Sequence, residues 1–237
     1  MTEDDVKLTS FLRTITCSIL LCCLGFAGCQ NDSSSPTQPA MRERLVYVGM
    51  GASDAVGIGA FPLENGYVYK IRDSLQAYAV TVELHNLGVS GKRIGYIEST
   101  ELPAAIANQP DVVTIWAGPN DLIGGVSVET FEARLQSVFA QLRQQTSAIV
   151  VMANVPDLTT LPRFQLFSDS DVTSERVFAY NAAIARQTST YAIPLVDLYA
   201  GGYADNIDYI SLDGFHPSNG GYAKMAELYL EQIIKYL

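Results

Sequence analysis

From residue 42 onward, short runs of β-branched and aliphatic residues alternate with longer segments in which apolar positions recur every three or four residues. The short runs predict strands over residues 44–49, 81–87, 111–117, 148–154 and 193–198. The longer segments predict helices over 67–78, 98–107, 128–145, 172–191 and 218–237. In the last of these, Tyr222, Met225, Ala226, Tyr229, Ile233 and Leu237 form one apolar face. Strand and helix alternating five times implies parallel strands joined by right-handed crossovers, hence a three-layer α/β/α sandwich around a five-stranded parallel sheet.

Two stretches break the alternation. Residues 155–171 carry Pro156 and Pro162 without a steady period and predict a long irregular loop, a kind of segment that tends to be functional in compact domains. Its Leu161, Phe164, Leu166 and Phe167 are candidates for the wall of an apolar pocket or for a cover over the core edge. The second break is the N-terminus. Lys7 and Arg13 precede an apolar segment, about Ile15 to Ala27, too short for a comfortable membrane span and ending in Ala27-Gly28. This is the layout of a secretory signal over 1–28, and Cys29 after Phe26-Ala27-Gly28 resembles the lipobox of bacterial lipoproteins, with Phe26 where leucine is usual. Residues 30–39 are polar and rich in serine and proline, so 29–41 reads as a lipidated cysteine and flexible tether ahead of a single domain over 42–237. The expected location is the bacterial cell envelope, exported and held at the membrane through Cys29.

Composition narrows the chemistry. Fifteen basic against twenty-five acidic residues give a formal charge of -10, and the basic residues are scattered without a run, which argues against a nucleic-acid partner. All four cysteines lie in the first 29 residues, leaving no thiolate metal site or disulfide framework in the domain. Only His85 and His216 are present, a poor basis for a zinc site, and the chemistry considered below needs no metal or organic cofactor.

The stretch from Gly49 to Gly59 follows the first predicted strand and contains Ser53. A serine beyond a strand end can be a nucleophile or simply a turn residue, and its own neighbours do not decide. A nucleophilic serine needs a base, and the base an orienting carboxylate. His85, inside the second predicted strand, reads as a hydrogen-bonded core or edge residue, whereas His216 sits in Ser211-Leu212-Asp213-Gly214-Phe215-His216-Pro217, where Gly214 permits a bend that could bring Asp213 to the imidazole. Acyl transfer also requires oxyanion donors. Two further glycine-bearing stretches end strands, offering the Gly91 backbone N–H and the Asn120 side chain, and in a parallel sheet all these ends share one edge.

The four stretches together resemble the SGNH or GDSL hydrolase family. The matching blocks are Gly51-Ala52-Ser53, Gly88-Val89-Ser90-Gly91, Gly118-Pro119-Asn120-Asp121 and Asp213-Gly214-Phe215-His216-Pro217, in family order. The resemblance implies a flavodoxin-like fold, Ser53 as nucleophile, His216 as general base and acid, Asp213 as its orienter, and an oxyanion hole from Ser53, Gly91 and Asn120. It implies an esterase or lysophospholipase-like activity on a small-molecule or lipid ester, with a carbohydrate O-deacetylase or a non-catalytic ligand-binding lipoprotein as alternatives. The usual Gly-Asp-Ser-Leu reads Gly-Ala-Ser-Asp, so Ala52 lacks a carboxylate and Asp54 adds one.

Overall fold

The computed structural model describes residues 41–237; the expected signal peptide, Cys29 and most of the tether lie outside the described residues. Five parallel strands form one sheet: β1 (Arg42–Gly51), β2 (Ala79–Asn86), β3 (Val112–Trp116), β4 (Ile149–Ala153) and β5 (Leu195–Val196), in the order β2-β1-β3-β4-β5. Helices cover both faces, so the three-layer sandwich and the parallel sheet are as expected.

Strands β1, β3 and β4 are buried on both sides, which is why they read as continuous apolar runs. Val48, Met50, Val113, Ile115, Val150 and Met152 point to one face. There they meet α6 (Val128–Gln145) through Phe131, Leu135 and Phe139, and α8 (Ser174–Thr190) through Val177, Tyr180 and Ile184. Leu45, Tyr47, Val112, Val151 and Ala153 point to the other face, against α2 (Tyr67–Leu75) and α9 (Asn219–Ile233). On that face Tyr67 stacks on Tyr229 with ring centroids 5.2 Å apart, and the Tyr229 hydroxyl donates to Ile115 O at 2.8 Å. The Tyr222 hydroxyl donates to Ile58 O at 2.6 Å. These bonds fix α9, and therefore the loop before it, against the sheet and the segment after β1.

Helix starts follow the capping chemistry of the sequence: Ser127, Thr173 and Ser218 each accept a backbone N–H two or three residues into α6, α8 and α9, at 3.2 Å. β2 is an edge strand, and His85 Nε2 lies 2.7 Å from Glu83 Oε1 there, paired with that carboxylate and not with Ser53. β5 is shorter than the expected 193–198, because only Leu195 and Val196 pair with β4.

The region expected to be an irregular loop carries a short helix, α7 (Pro162–Leu166), started by Pro162 at its first position. Leu161 and Phe164 are buried, whereas Leu166 and Phe167 are 76% and 74% exposed and line only an open groove with Arg163, Asp169 and Leu212. The expected helix over 98–107 starts earlier, as α3 (Ile94–Tyr96), and continues through a π-helical turn (Ile97–Glu101) into α4 (Leu102–Ala107).

Candidate active site

Chain order diverges at β1: β2 lies on one side and β3 on the other, and this switch point opens a crevice at the strand C-termini. β1 runs to Gly51, opposite Trp116. Gly51 has φ 150° and a Cβ there would lie 2.7 Å from Trp116 O, so only glycine fits. The chain then turns at Ala52 into the four-residue α1 (Ser53–Val56). Ser53 is its first residue, 3% exposed, and its carbonyl accepts from Gly57 and Ile58 N–H at 3.0 and 2.9 Å. No described residue accepts the Ser53 N–H.

His216 reaches Ser53 from the loop before α9. Ile210 and Pro217 form an antiparallel bridge, Ser211 N–H donates to His216 O at 2.8 Å, and Gly214 at φ 71° closes the bend. Within this loop Asp213 Oδ1 accepts from Ser211 Oγ at 2.7 Å and from the Phe215 and His216 N–H groups, each at 2.9 Å. Its Oδ2 lies 2.6 Å from His216 Nδ1, and His216 Nε2 lies 2.9 Å from Ser53 Oγ. Partial burial pushes the Asp213 carboxyl up, but the His216 bond and the loop donors outweigh it and hold the group down to about 2. Phe215 packs edge-on against the imidazole, centroids 4.8 Å apart.

The other two loops are laced to these. Val89 N–H donates to Gly51 O at 3.2 Å, and the Asn120 side-chain amide donates to Lys92 O at 3.0 Å. Asn120 lies in the first turn of α5 (Pro119–Ile123). Buried Asp121 beside it accepts the Ile94 N–H at 3.1 Å with both oxygens. Gly91 sits at φ 76° and is exposed; among the described residues its N–H has no acceptor. Thus His216 is hydrogen-bonded to both Ser53 and Asp213, while Gly91 stands in one adjoining loop and Asn120 in the first turn of α5, linked through Lys92.

Asp54, next to Ser53, is 8% exposed and lines an apolar cavity with Trp116, Leu158, Leu161, Tyr209 and Phe215. The cavity is apolar in its lining and partly open to solvent. Burial pushes Asp54 up to about 6, against the pull of His216. Glu101, which sequence reasoning missed, accepts the Gly51 N–H at 2.8 Å with Oε2 and is 2% exposed. Its one signal in the sequence is a carboxyl amid the buried apolar positions Ile94, Ile97, Leu102 and Ala105.

A hydroxyl bonded to an imidazole, itself bonded to an ionised carboxylate, can lose its proton as it attacks an electrophilic carbon. The free N–H groups nearby suit a developing oxyanion.

The model of the GDSL-like lipase/acylhydrolase family matches residues 38–224. The spore germination lipase LipC of Bacillus licheniformis is 24% identical over 204 residues, covering 77% of this chain and 93% of LipC. Among solved structures, TesA superposes with a TM-score of 0.66 at 18% identity, over 81% of this chain and 99% of that one. The acetyl xylan esterase AlAXEase gives 0.65 at 19% identity, over 80% and 100%.

Proposed function

The chain belongs to the GDSL-like lipase/acylhydrolase family and is a carboxylic ester hydrolase, and from that premise we propose a Ser53-His216-Asp213 acyl-enzyme mechanism. The reading rests above all on the 2.9 Å approach of Ser53 Oγ to His216 Nε2, with Asp213 Oδ2 2.6 Å from Nδ1. Ser53 Oγ attacks the ester carbonyl carbon as Nε2 takes the hydroxyl proton. Asp213, acting from Nδ1, fixes the tautomer and stabilises the imidazolium. The carbonyl oxygen, now negative, is held by the Ser53 and Gly91 N–H groups and the Asn120 amide, each donor contributing about 3 kcal/mol in sites of this kind. Collapse of the intermediate breaks the C–O bond, and the alkoxide leaves with the proton from Nε2. Water then attacks the acyl-enzyme, giving a proton to Nε2, and as the acyl C–Oγ bond breaks Nε2 returns that proton to Ser53 Oγ and the carboxylic acid leaves.

The apolar cavity beside Asp54 supports an acyl chain longer than acetyl as the preferred substrate part, in the manner of an esterase or lysophospholipase. Rates on acetyl, butyryl and octanoyl nitrophenyl esters test this. Higher kcat/KM on the longer chains is expected, and a strong preference for acetyl would favour an O-deacetylase. Wild-type hydrolysis should vanish in Ser53→Ala; equal activity of the two proteins would remove the Ser53 assignment.

The sequence pattern around Cys29 supports an exported, lipid-anchored protein of the bacterial envelope. Expressed in a bacterium fed an alkyne fatty acid, the full chain should take up label that Cys29→Ser loses. Label retained by that variant would end the lipoprotein reading.

A further inference from the structure

A wholly buried carboxyl sits behind the serine turn. Ile94, Ile97, Leu102 and Ala105 bury one side of the helix after β2, and the wide π turn over Ile97–Glu101 places two consecutive residues, Glu101 and Leu102, on that side. Glu101 Oε2 accepts the Gly51 N–H, and Oε1 is buried without a partner among the described residues. Gly51 lies two residues before Ser53, and its own carbonyl accepts from Val89 N–H in the Gly91 loop.

We propose that Glu101 is a positioning residue for ester hydrolysis, holding the end of β1 so that Ser53 and its N–H, with the Gly91 loop, keep their places at the reacting carbonyl. The proposal rests on Ser53 being the nucleophile. Glu101 does this as a neutral acid. The charged groups on the elements packed against it are engaged elsewhere: Glu98 of the same turn pairs with Arg134 of α6 at 2.8 Å. Glu132 of α6 pairs with Arg186 of α8, and Arg143 of α6 donates to Tyr191 O and Ala192 O. Arg42 and Arg44 stand at the far end of β1, against Asp111 and Glu83. A charge on Glu101 would therefore lack a cation, and burial pushes the group up to about 8, the Gly51 bond only partly opposing it. Because the folded value lies above the ordinary 4.5, the contribution of Glu101 to stability is fully present below about pH 4.5 and lost as pH rises through about 8.

Glu101→Gln and Glu101→Leu, compared with wild type and Ser53→Ala, test this. Glutamine keeps an acceptor for Gly51 and cannot ionise. At pH 7 Glu101→Gln should keep kcat within about threefold, whereas Glu101→Leu should lose about 10- to 100-fold in kcat with KM little changed, as expected for a displaced nucleophile. In Tm against pH from 5 to 9, wild type should fall relative to Glu101→Gln, and kcat should show an alkaline loss that Glu101→Gln lacks. A folded Glu101→Leu with wild-type kcat, or the same alkaline fall in Glu101→Gln as in wild type, would overturn the proposal. Should Ser53→Ala prove fully active, the nucleophile assignment falls and the positioning role with it, while the Tm series still reports whether Glu101 is neutral.

Discussion

Two aspartates near the same histidine are treated in opposite ways. Asp213, in the loop before α9, is surrounded by donors: the Ser211 hydroxyl, two backbone N–H groups and the imidazole, and it stays ionised down to about pH 2. Asp54, one residue past Ser53, faces an apolar cavity and is pushed up to about 6. Both stand close enough to His216 to feel its charge, so proximity to the imidazole does not separate them. What separates them is the supply of hydrogen bonds set against burial. The bend at Gly214 and the bridge between Ile210 and Pro217 aim N–H groups at Asp213, whereas the four-residue α1 leaves the Asp54 side chain against aromatic and aliphatic walls.

The sharpest way to break the contrast is Asp213→Asn, which keeps the side-chain shape and an acceptor oxygen but no negative charge. kcat for nitrophenyl ester hydrolysis should fall by about 10³- to 10⁴-fold, with KM nearly unchanged. Asn120→Ala removes one oxyanion donor and should lower kcat by about 100-fold, measured the same way. Asp54→Asn addresses the other half of the contrast. Its carboxyl is raised from 3.8 to about 6 on folding, so its stabilising share is present below about pH 3.8 and lost as pH rises through about 6. The asparagine variant should therefore gain about 3 kcal/mol over wild type at pH 7 by denaturant unfolding, and the gain should largely disappear near pH 4. Asp213 has the opposite sign: its stabilisation is present above about pH 3.8 and lost as pH falls through about 2, so acid unfolding should be less steep in Asp213→Asn. The smallest effect is expected from Leu166→Ser and Phe167→Ser, whose side chains project into solvent; stability should change by no more than about 0.5 kcal/mol.

Much of this was legible along the chain. Continuous apolar runs at β1, β3 and β4 stand out because both faces of the sheet are covered, and α6 spans the residues its periodicity implies, ending within Val128–Gln145. The glycine, asparagine and histidine stretches could be placed at one edge because parallel strands put all their C-termini there. Short elements were not legible. α1 and α5 have four and five residues, fewer than two turns, so no periodicity can mark them, and their starts depend on Gly51 and Gly118 being held by the sheet. α7 was hidden in the same way, and Leu166 and Phe167 could not be told from buried residues by type alone. Glu101 was invisible for a further reason: helical spacing places it on a buried face, but only the tertiary contact with Gly51 explains a carboxyl there.

Ester hydrolysis by this chain requires Ser53 to be the one activated hydroxyl. Incubation of the domain over residues 42–237 with an ethyl fluorophosphonate, followed by intact-mass and peptide mapping, measures this directly. One equivalent of phosphonyl adduct on Ser53, absent in Ser53→Ala and strongly slowed in His216→Ala, is the predicted result; an adduct on another residue, or equal labelling of Ser53→Ala, would contradict it.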